Sequence, residues 1–349
     1  MNLPVDIIRG RYLEDVLAQP EALRDTLTRL RGESVFEAIA SACPAARFER
    51  IILTGMGGSF FGLHVLSIEL AAHGWTPMMF ETSELIHSYG ALLSESTLLV
   101  AVSQSGRSAE TLRLLERNAG RATVIGITND AESPLGTESH FSIVTAAGQE
   151  YSVSCKTYVS TLMALRAVGA ALCELDAPAR LRILEGAATA AEGYLANWQT
   201  HAGELMETLK GSSDFFLVGR GPSLSAVQAG ALVIKESTHA HAEGMSSAAF
   251  RHGPFEMLNS GVFVGVFAGE LHTRALNRKL YADIAAAGAQ AGWIAPDAEQ
   301  AALRLPETDP ILLPIVEIFP AQMMTLALAA LRHREPGKFV RATKITAVE

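Results

Sequence analysis

The chain has 349 residues, 49% of them hydrophobic and 19% charged, with 29 Gly and 14 Pro. That balance excludes a disordered polymer and gives room for roughly two domains, each with its own core. A formal charge of −9 argues against nucleic acid or an acidic membrane surface as a partner. A small anionic substrate stays compatible, because local donors bind it.

Cys43, Cys155 and Cys173 form no C-x-x-C pair and read as small core or loop residues of a reducing compartment. The opening MNLPVDIIRGRYLEDV has acids where a signal peptide would have an apolar run. The apolar run from Ile311 to Leu331 is broken by Pro314, Glu317 and Pro320. A cytoplasmic protein with no membrane segment is expected.

Residues 1–45 read as an N-terminal helical segment. Leu13, Val16 and Leu17 share one apolar face, and Pro20 restarts a helix with Leu23, Leu27 and Leu30. From Arg50 the pattern changes to a buried strand, Ile51–Thr54, then a Gly-rich turn, Met56-Gly57-Gly58-Ser59, and a helix expected from Phe61 to His73. Further strands are expected at Pro77–Glu81, Leu98–Val102, Thr123–Thr128 and Phe141–Thr145, with a helix near Ser83–Tyr89. Apolar strands alternating with helices predict a parallel sheet covered on both faces.

A long helical region from Thr157 to Leu175 ends this first domain, 46–176, and helices with breaks connect it through 177–211. In 212–335 the programme starts again. Val218-Gly219-Arg220-Gly221-Pro222-Ser223 parallels Thr54-Gly55-Met56-Gly57-Gly58-Ser59, and Val262–Phe267 parallels Leu98–Val102. Two similar domains in tandem are expected. The copies differ after that strand: Ser103-Gln104-Ser105-Gly106 in the first becomes Ala268-Gly269-Glu270-Leu271 in the second. Only the first is expected to hold an anion in this way. A tail, 336–349, follows.

Four stretches can carry chemistry. Ser103, Ser105 and Ser108 follow a buried strand and precede a helix, where free N–H groups and the dipole favour a phosphate. Helix capping is the plainer role for each serine. Lys235-Glu236 lies near a helix carboxyl end, where a solvated pair is the plain reading and a carboxylate opposes the dipole. His239-x-His241-x-Glu243 invites a metal, but no further ligand set is evident. Arg251-His252-Gly253-Pro254 places an imidazole in a turn, available for proton transfer near neutral pH or simply structural. The tail around Lys344 is basic, either frayed or folded back onto an anionic site.

These pieces together resemble the sugar isomerase (SIS) family, in the branch of the isomerase half of glucosamine-6-phosphate synthase, which also holds aminosugar-phosphate deaminases and fructosamine-6-phosphate deglycases. The resemblance runs from Leu13-Glu14-Asp15-Val16 through Gly57-Gly58-Ser59, Ser103-Gln104-Ser105-Gly106, Val153-Ser154-Cys155-Lys156, Gly219-Arg220-Gly221, Lys235-Glu236, His241-Ala242-Glu243 and His252-Gly253-Pro254 to Lys344. It implies an α/β fold of two tandem SIS domains, each a three-layer αβα sandwich with a parallel, flavodoxin-like sheet.

The resemblance also implies that Ser103, Gln104, Ser105 and Ser108 hold a sugar phosphate, with Ser59 and Ser154 near the sugar. Glu236 would move the proton between C1 and C2, His252 of a neighbouring subunit would help open the ring, and Lys344 would close over the substrate. That makes a homodimer with shared sites, without cofactor or metal, and turns His241-Ala242-Glu243 into a structural segment. Val233, Ala229, Gly58 and Val340 depart from the synthase pattern. With Asn2 at the second position and no glutaminase half, glutamine-dependent synthesis is not expected. A deaminase or deglycase acting on an aminosugar or fructosamine phosphate is the leading expectation. A plain aldose–ketose isomerase and a non-catalytic phosphosugar sensor stand as alternatives.

Overall fold

The computed structural model describes residues 7–341, 343 and 344. The remaining positions of the 336–349 tail, whose closure over the site was expected, fall outside the described residues. Two compact units emerge. One joins the described residues up to Pro20 with Tyr151–Cys155 and Gly186–Val340; the other joins Glu21–Glu150, Lys156–Glu185 and the described tail from Arg341.

The second of these holds a five-stranded sheet of β1 (Arg50–Gly55), β2 (Pro77–Glu81), β3 (Thr97–Val102), β4 (Thr123–Thr128) and β5 (Phe141–Val144), in the order β2-β1-β3-β4-β5. All pairings are parallel. The register explains the apolar runs. Ile52 pairs with Leu99, and Leu99 with Val124, so these side chains line one face with Ala101 and pack with Leu85, Leu114 and Leu135. Every residue of β3 is buried, as a central parallel strand requires.

The helix expected from Phe61 to His73 is instead two, Gly57–Gly62 and His64–Ala72, with Leu63 between them. It starts at Gly57 because that residue, at φ +51°, turns the chain directly out of β1. Helix Lys156–Leu172 is buried along its whole length. Gly169 lets it approach Leu66 and Glu69, since a Cβ there would lie 2.5 Å from the Glu69 carboxylate. Glu69 pairs with Arg180 at 2.6 Å and Arg166 at 3.3 Å, all three buried.

The other unit carries β6 (Asp214–Gly219), β7 (His241–Ser246), β8 (Val262–Phe267) and β9 (Gln290–Ile294), again all parallel, in the order β7-β6-β8-β9. The first four positions of the five-stranded order repeat, without a fifth strand. Helix Ile318–Leu331 is its core element. By length and composition residues 310–331 could cross a membrane, yet 94% of the most apolar window is buried inside the fold. Pro314 and Pro320 sit in the first turns of helices Leu313–Val316 and Ile318–Leu331, where a missing N–H is tolerated.

The first helix, Arg11–Leu17, belongs to this same unit. The buried Tyr12 hydroxyl accepts from Thr325 Oγ1 at 3.1 Å, and the amides of Gln19 and Gln322 pair at 2.8 and 3.0 Å.

Candidate active site

In the five-stranded sheet the neighbours of β1 are β2 on one side and β3 on the other, so the strand order reverses between β1 and β3. The crevice outside the carboxyl ends at such a point is where open α/β sheets take ligands. Ser59 follows β1 there, and the turn Ser103–Ser108 follows β3. Both are half-buried, apart from the buried Gly106 and the exposed Arg107. The sheet thus brings Ser59 beside the expected phosphate loop.

Each hydroxyl in the turn has a definite task. Gly106 N–H donates to Ser103 Oγ and Arg107 N–H to Ser105 Oγ, both at 3.2 Å. Ser108 caps helix Ala109–Asn118, accepting from Thr111 N–H at 3.3 Å. The capping role therefore belongs to Ser108, while Ser103 and Ser105 accept from amides of the turn itself. Gln104 O accepts from Asn129 N–H at 3.0 Å, which fixes the loop to the end of β4. Gly106 adopts φ +59°, and a Cβ there would collide with the Ser133 hydroxyl. Arg107 is held outward by Asp130 at 3.0 Å and Glu132 O at 2.7 Å.

The same unit holds Lys344, whose Nζ lies 2.5 Å from Glu150 Oε2, with the Glu150 side chain fully buried. Thr157 donates to Glu150 through N–H at 3.1 Å and Oγ1 at 2.6 Å. The described part of the tail thus brings Lys344 against a buried carboxylate. Glu150 was not singled out in the sequence, and only its place just before a buried helix hinted at it.

Ser154, Glu236 and His252 belong to the other unit. Glu236 is half-buried in the last turn of helix Leu224–Thr238, beside the exposed Lys235. Buried Tyr12 stands near it. Burial above all, with Cys155 and Glu236 adding, pushes the Tyr12 phenol pKa far up, so it stays protonated. Next to it, Gly337 N–H donates to Ser237 O at 3.2 Å, and Ser152 Oγ donates to Gly337 O at 2.5 Å. The catalytic candidate thus sits over a knot of the first helix, the 151–155 segment and the start of the tail. None of these tie residues was visible as such in the sequence, where long stretches of chain separate them.

His252 is exposed, just after helix Ser247–Arg251 at the carboxyl end of β7. Helix Leu224–Thr238 runs back from β6, so Glu236 lies at the amino end of β7. One strand of six residues, roughly 20 Å, separates the two edges. A single chain does not bring Glu236 and His252 together.

The three residues of His239-x-His241-x-Glu243 do not share one extended segment. His239 ends the helix at φ +54°, and only His241 and Glu243 share a face of β7. His241 instead bridges Asp214 at 3.1 Å and Glu243 at 3.4 Å. The Ser213 hydroxyl, more than His241, holds the Asp214 carboxyl below its ordinary range.

Residues 46–171 match the SIS domain family. The chain carries an SIS domain. Over 97% of its length it is 30% identical to the glutamine–fructose-6-phosphate aminotransferase (isomerizing) of Thermococcus kodakarensis, of which it covers 58%. The chain thus spans somewhat more than half the length of the curated relatives it matches. Among solved structures, the C-terminal domain of glucosamine-fructose-6-phosphate aminotransferase from Francisella tularensis has a TM-score of 0.84 at 20% identity, covering 95% of this chain and 99% of that one. Glucosamine-6-phosphate deaminase from Thermotoga maritima has 0.73 at 18% identity, covering 95% and 100%. Both likenesses are of fold. The SIS match covers β1 to β5, the loop Ser103–Ser108 and most of helix Lys156–Leu172.

Proposed function

We propose that the chain is an enzyme of two tandem SIS domains that acts on a phosphorylated amino sugar or fructosamine, releasing ammonia or an amine with aldose–ketose isomerisation as part of the reaction. The order 2-1-3-4-5 of the first sheet supports a flavodoxin-like reading, and the repeated order of the second supports duplication. The observation that carries the function is the hydroxyl-lined turn Ser103–Ser108 at the reversal point between β1 and β3. A phosphate held there anchors the sugar remotely from the reacting carbons, which keeps them in register for proton transfer.

In this reading Ser59 and Ser154 contact the sugar, and Glu236 takes a proton from one carbon and returns it to the next. Its separation from His252 by a strand's length supports a dimer in which His252 of one copy opens the ring bound beside Glu236 of the other. Lys344, already drawn in by Glu150, covers the substrate.

The test is a panel of aminosugar and fructosamine phosphates, followed for ammonia, amine and ketose phosphate, with Glu236→Gln as control. Nitrogen release from a panel member, lost in that variant by on the order of 10²–10⁴-fold, is the expected result. Interconversion of hexose phosphates with no nitrogen release would favour the plain isomerase. Binding without turnover would favour the sensor.

A further inference from the structure

The two sheets repeat the turns at their carboxyl ends as well as their strand order. Met56 and Arg220 are both extended, Gly57 and Gly221 follow at φ +51° and +55°, and Ser59 and Ser223 close the two turns. Ser103 N–H donates to Ile127 O at 3.0 Å, and Ala268 N–H to Ile294 O at 2.8 Å, so the two loops leave β3 and β8 alike. The second loop lacks the serines, and its Glu270 carboxylate accepts from His272 and Thr273 N–H, both at 3.0 Å.

Glu317 stands between these second-sheet turns, immediately before the buried helix Ile318–Leu331. Ser223 Oγ donates to its Oε1 at 2.9 Å, and the Gly269 main chain lies against it, a Cβ there falling 2.8 Å from Oε1. The side chain is fully buried, and among the described residues its Oε2 has no partner. A carboxyl in an apolar helix start is costly unless something holds it. Here the holders are Ser223, at the position of Ser59, and Gly269, at the position of Gln104. Desolvation pushes its pKa up to about 8, so it sits there mostly neutral at pH 7. A cavity of about 430 Å³, lined in part by Pro222, Gly269, Arg274 and Leu313, adjoins this place through Gly269 and Leu313.

We propose that the second sheet retains an oxyanion cradle formed by Ser223 and the Gly269 main chain, and that Glu317 is its built-in occupant, filling the place a phosphate or sulfate would take. The chain therefore keeps two cradles and leaves one for substrate. For the phosphate role of the first loop this rests on the function proposed above; the test separates the two.

Inorganic phosphate is titrated calorimetrically into the full chain at pH 7. Glu317→Ala gains one bound phosphate per chain over the parent. Glu317→Gln, which refills the seat with a side chain of the same shape, gains none. In a chain whose first loop carries Ser103→Ala and Ser105→Ala, adding Glu317→Ala still brings one phosphate, whatever the first loop does. Adding Ser223→Ala then removes it. Glu317→Ser carries the same expectation if the alanine variant does not fold. A folded Ala or Ser variant that binds no additional phosphate, or a Gln variant that binds one, overturns the proposal.

Discussion

The Lys344 ammonium and the Glu150 carboxylate meet at 2.5 Å, with the acid fully buried and the lysine side chain 24% exposed. The pair draws Lys344 back to the amino end of the buried helix Lys156–Leu172, where Thr157 also donates to the carboxylate. Removing Lys344 takes an ammonium away from the buried Glu150 carboxylate. Lys344→Ala is expected to speed amide hydrogen exchange across residues 338–341 and to lower turnover, whereas Lys344→Arg restores the exchange protection. Unchanged exchange in the alanine variant would show that the pair does not hold the tail.

Two serines of one loop are expected to fail in different ways. Ser105→Ala weakens inorganic phosphate binding on the order of 10- to 100-fold, the worth of a hydrogen bond to a charged group, with little change in stability. Ser108→Ala removes the cap of helix Ala109–Asn118 and costs about 1 kcal/mol in urea unfolding. Equal loss of phosphate affinity and stability in both would deny the division of labour between them.

Shared sites are readable by mixing. Glu236→Gln and His252→Ala chains, each inactive alone, should recover about a quarter of parental activity after dissociation and random reassociation as a dimer. Half the dimers are then mixed, and each of these has one intact site. No recovery, with mixed dimers demonstrated by mass, would place both groups in one chain's site.

Glu317 sets a pH dependence with a definite sign. Its carboxyl titrates near 8 in the fold against an ordinary value of 4.5, so between those values the folded chain holds a proton that the unfolded chain has lost. The stability tied to this proton is full below about 4.5 and falls as pH rises through 8. The urea midpoint of the parent is expected to drop from pH 5 to pH 8.5 more steeply than that of Glu317→Gln. Parallel curves would place the ionisation elsewhere.

Glu69 is the counter-ion of two buried guanidinium groups, Arg166 and Arg180. Glu69→Gln should destabilise the protein by about 3–5 kcal/mol, because it strands buried positive charge. Replacing all three with apolar residues of matching volume should cost much less. The comparison is a set of denaturation curves.

Local pattern carried much of the fold. The strands Arg50–Gly55, Thr97–Val102 and Val262–Phe267 were legible because central parallel strands are apolar throughout, and the two Gly turns because positive φ leaves glycine where other residues strain. Ser103 and Ser105 were legible for the same local reason, standing just past a strand and before a helix. Tyr12, Glu150 and Glu317 were not. Tyr12 meets Thr325 across 313 positions and Glu150 meets Lys344 across 194, and periodicity says nothing about partners that distant. Glu317 left a trace, a lone acid in an apolar run, but it read as an interruption of that run. Its hydrogen bond to Ser223 gives it another meaning.

The pairing of the first helix with the last has a consequence for synthesis. On the ribosome, Arg11–Leu17 emerges long before its partners, since its buried Tyr12 and the neighbouring Gln19 find Thr325 and Gln322 only after 313 and 303 further positions. At roughly 5–20 residues per second, that is a wait of about 15 s to a minute. Residues 21–185 hold most of the five-stranded unit and can fold in the meantime. The nascent chain therefore passes through a stage with one unit largely formed and the face of helix Arg11–Leu17 that carries Tyr12 and Val16 still uncovered, the stage at which a chaperone has most to cover.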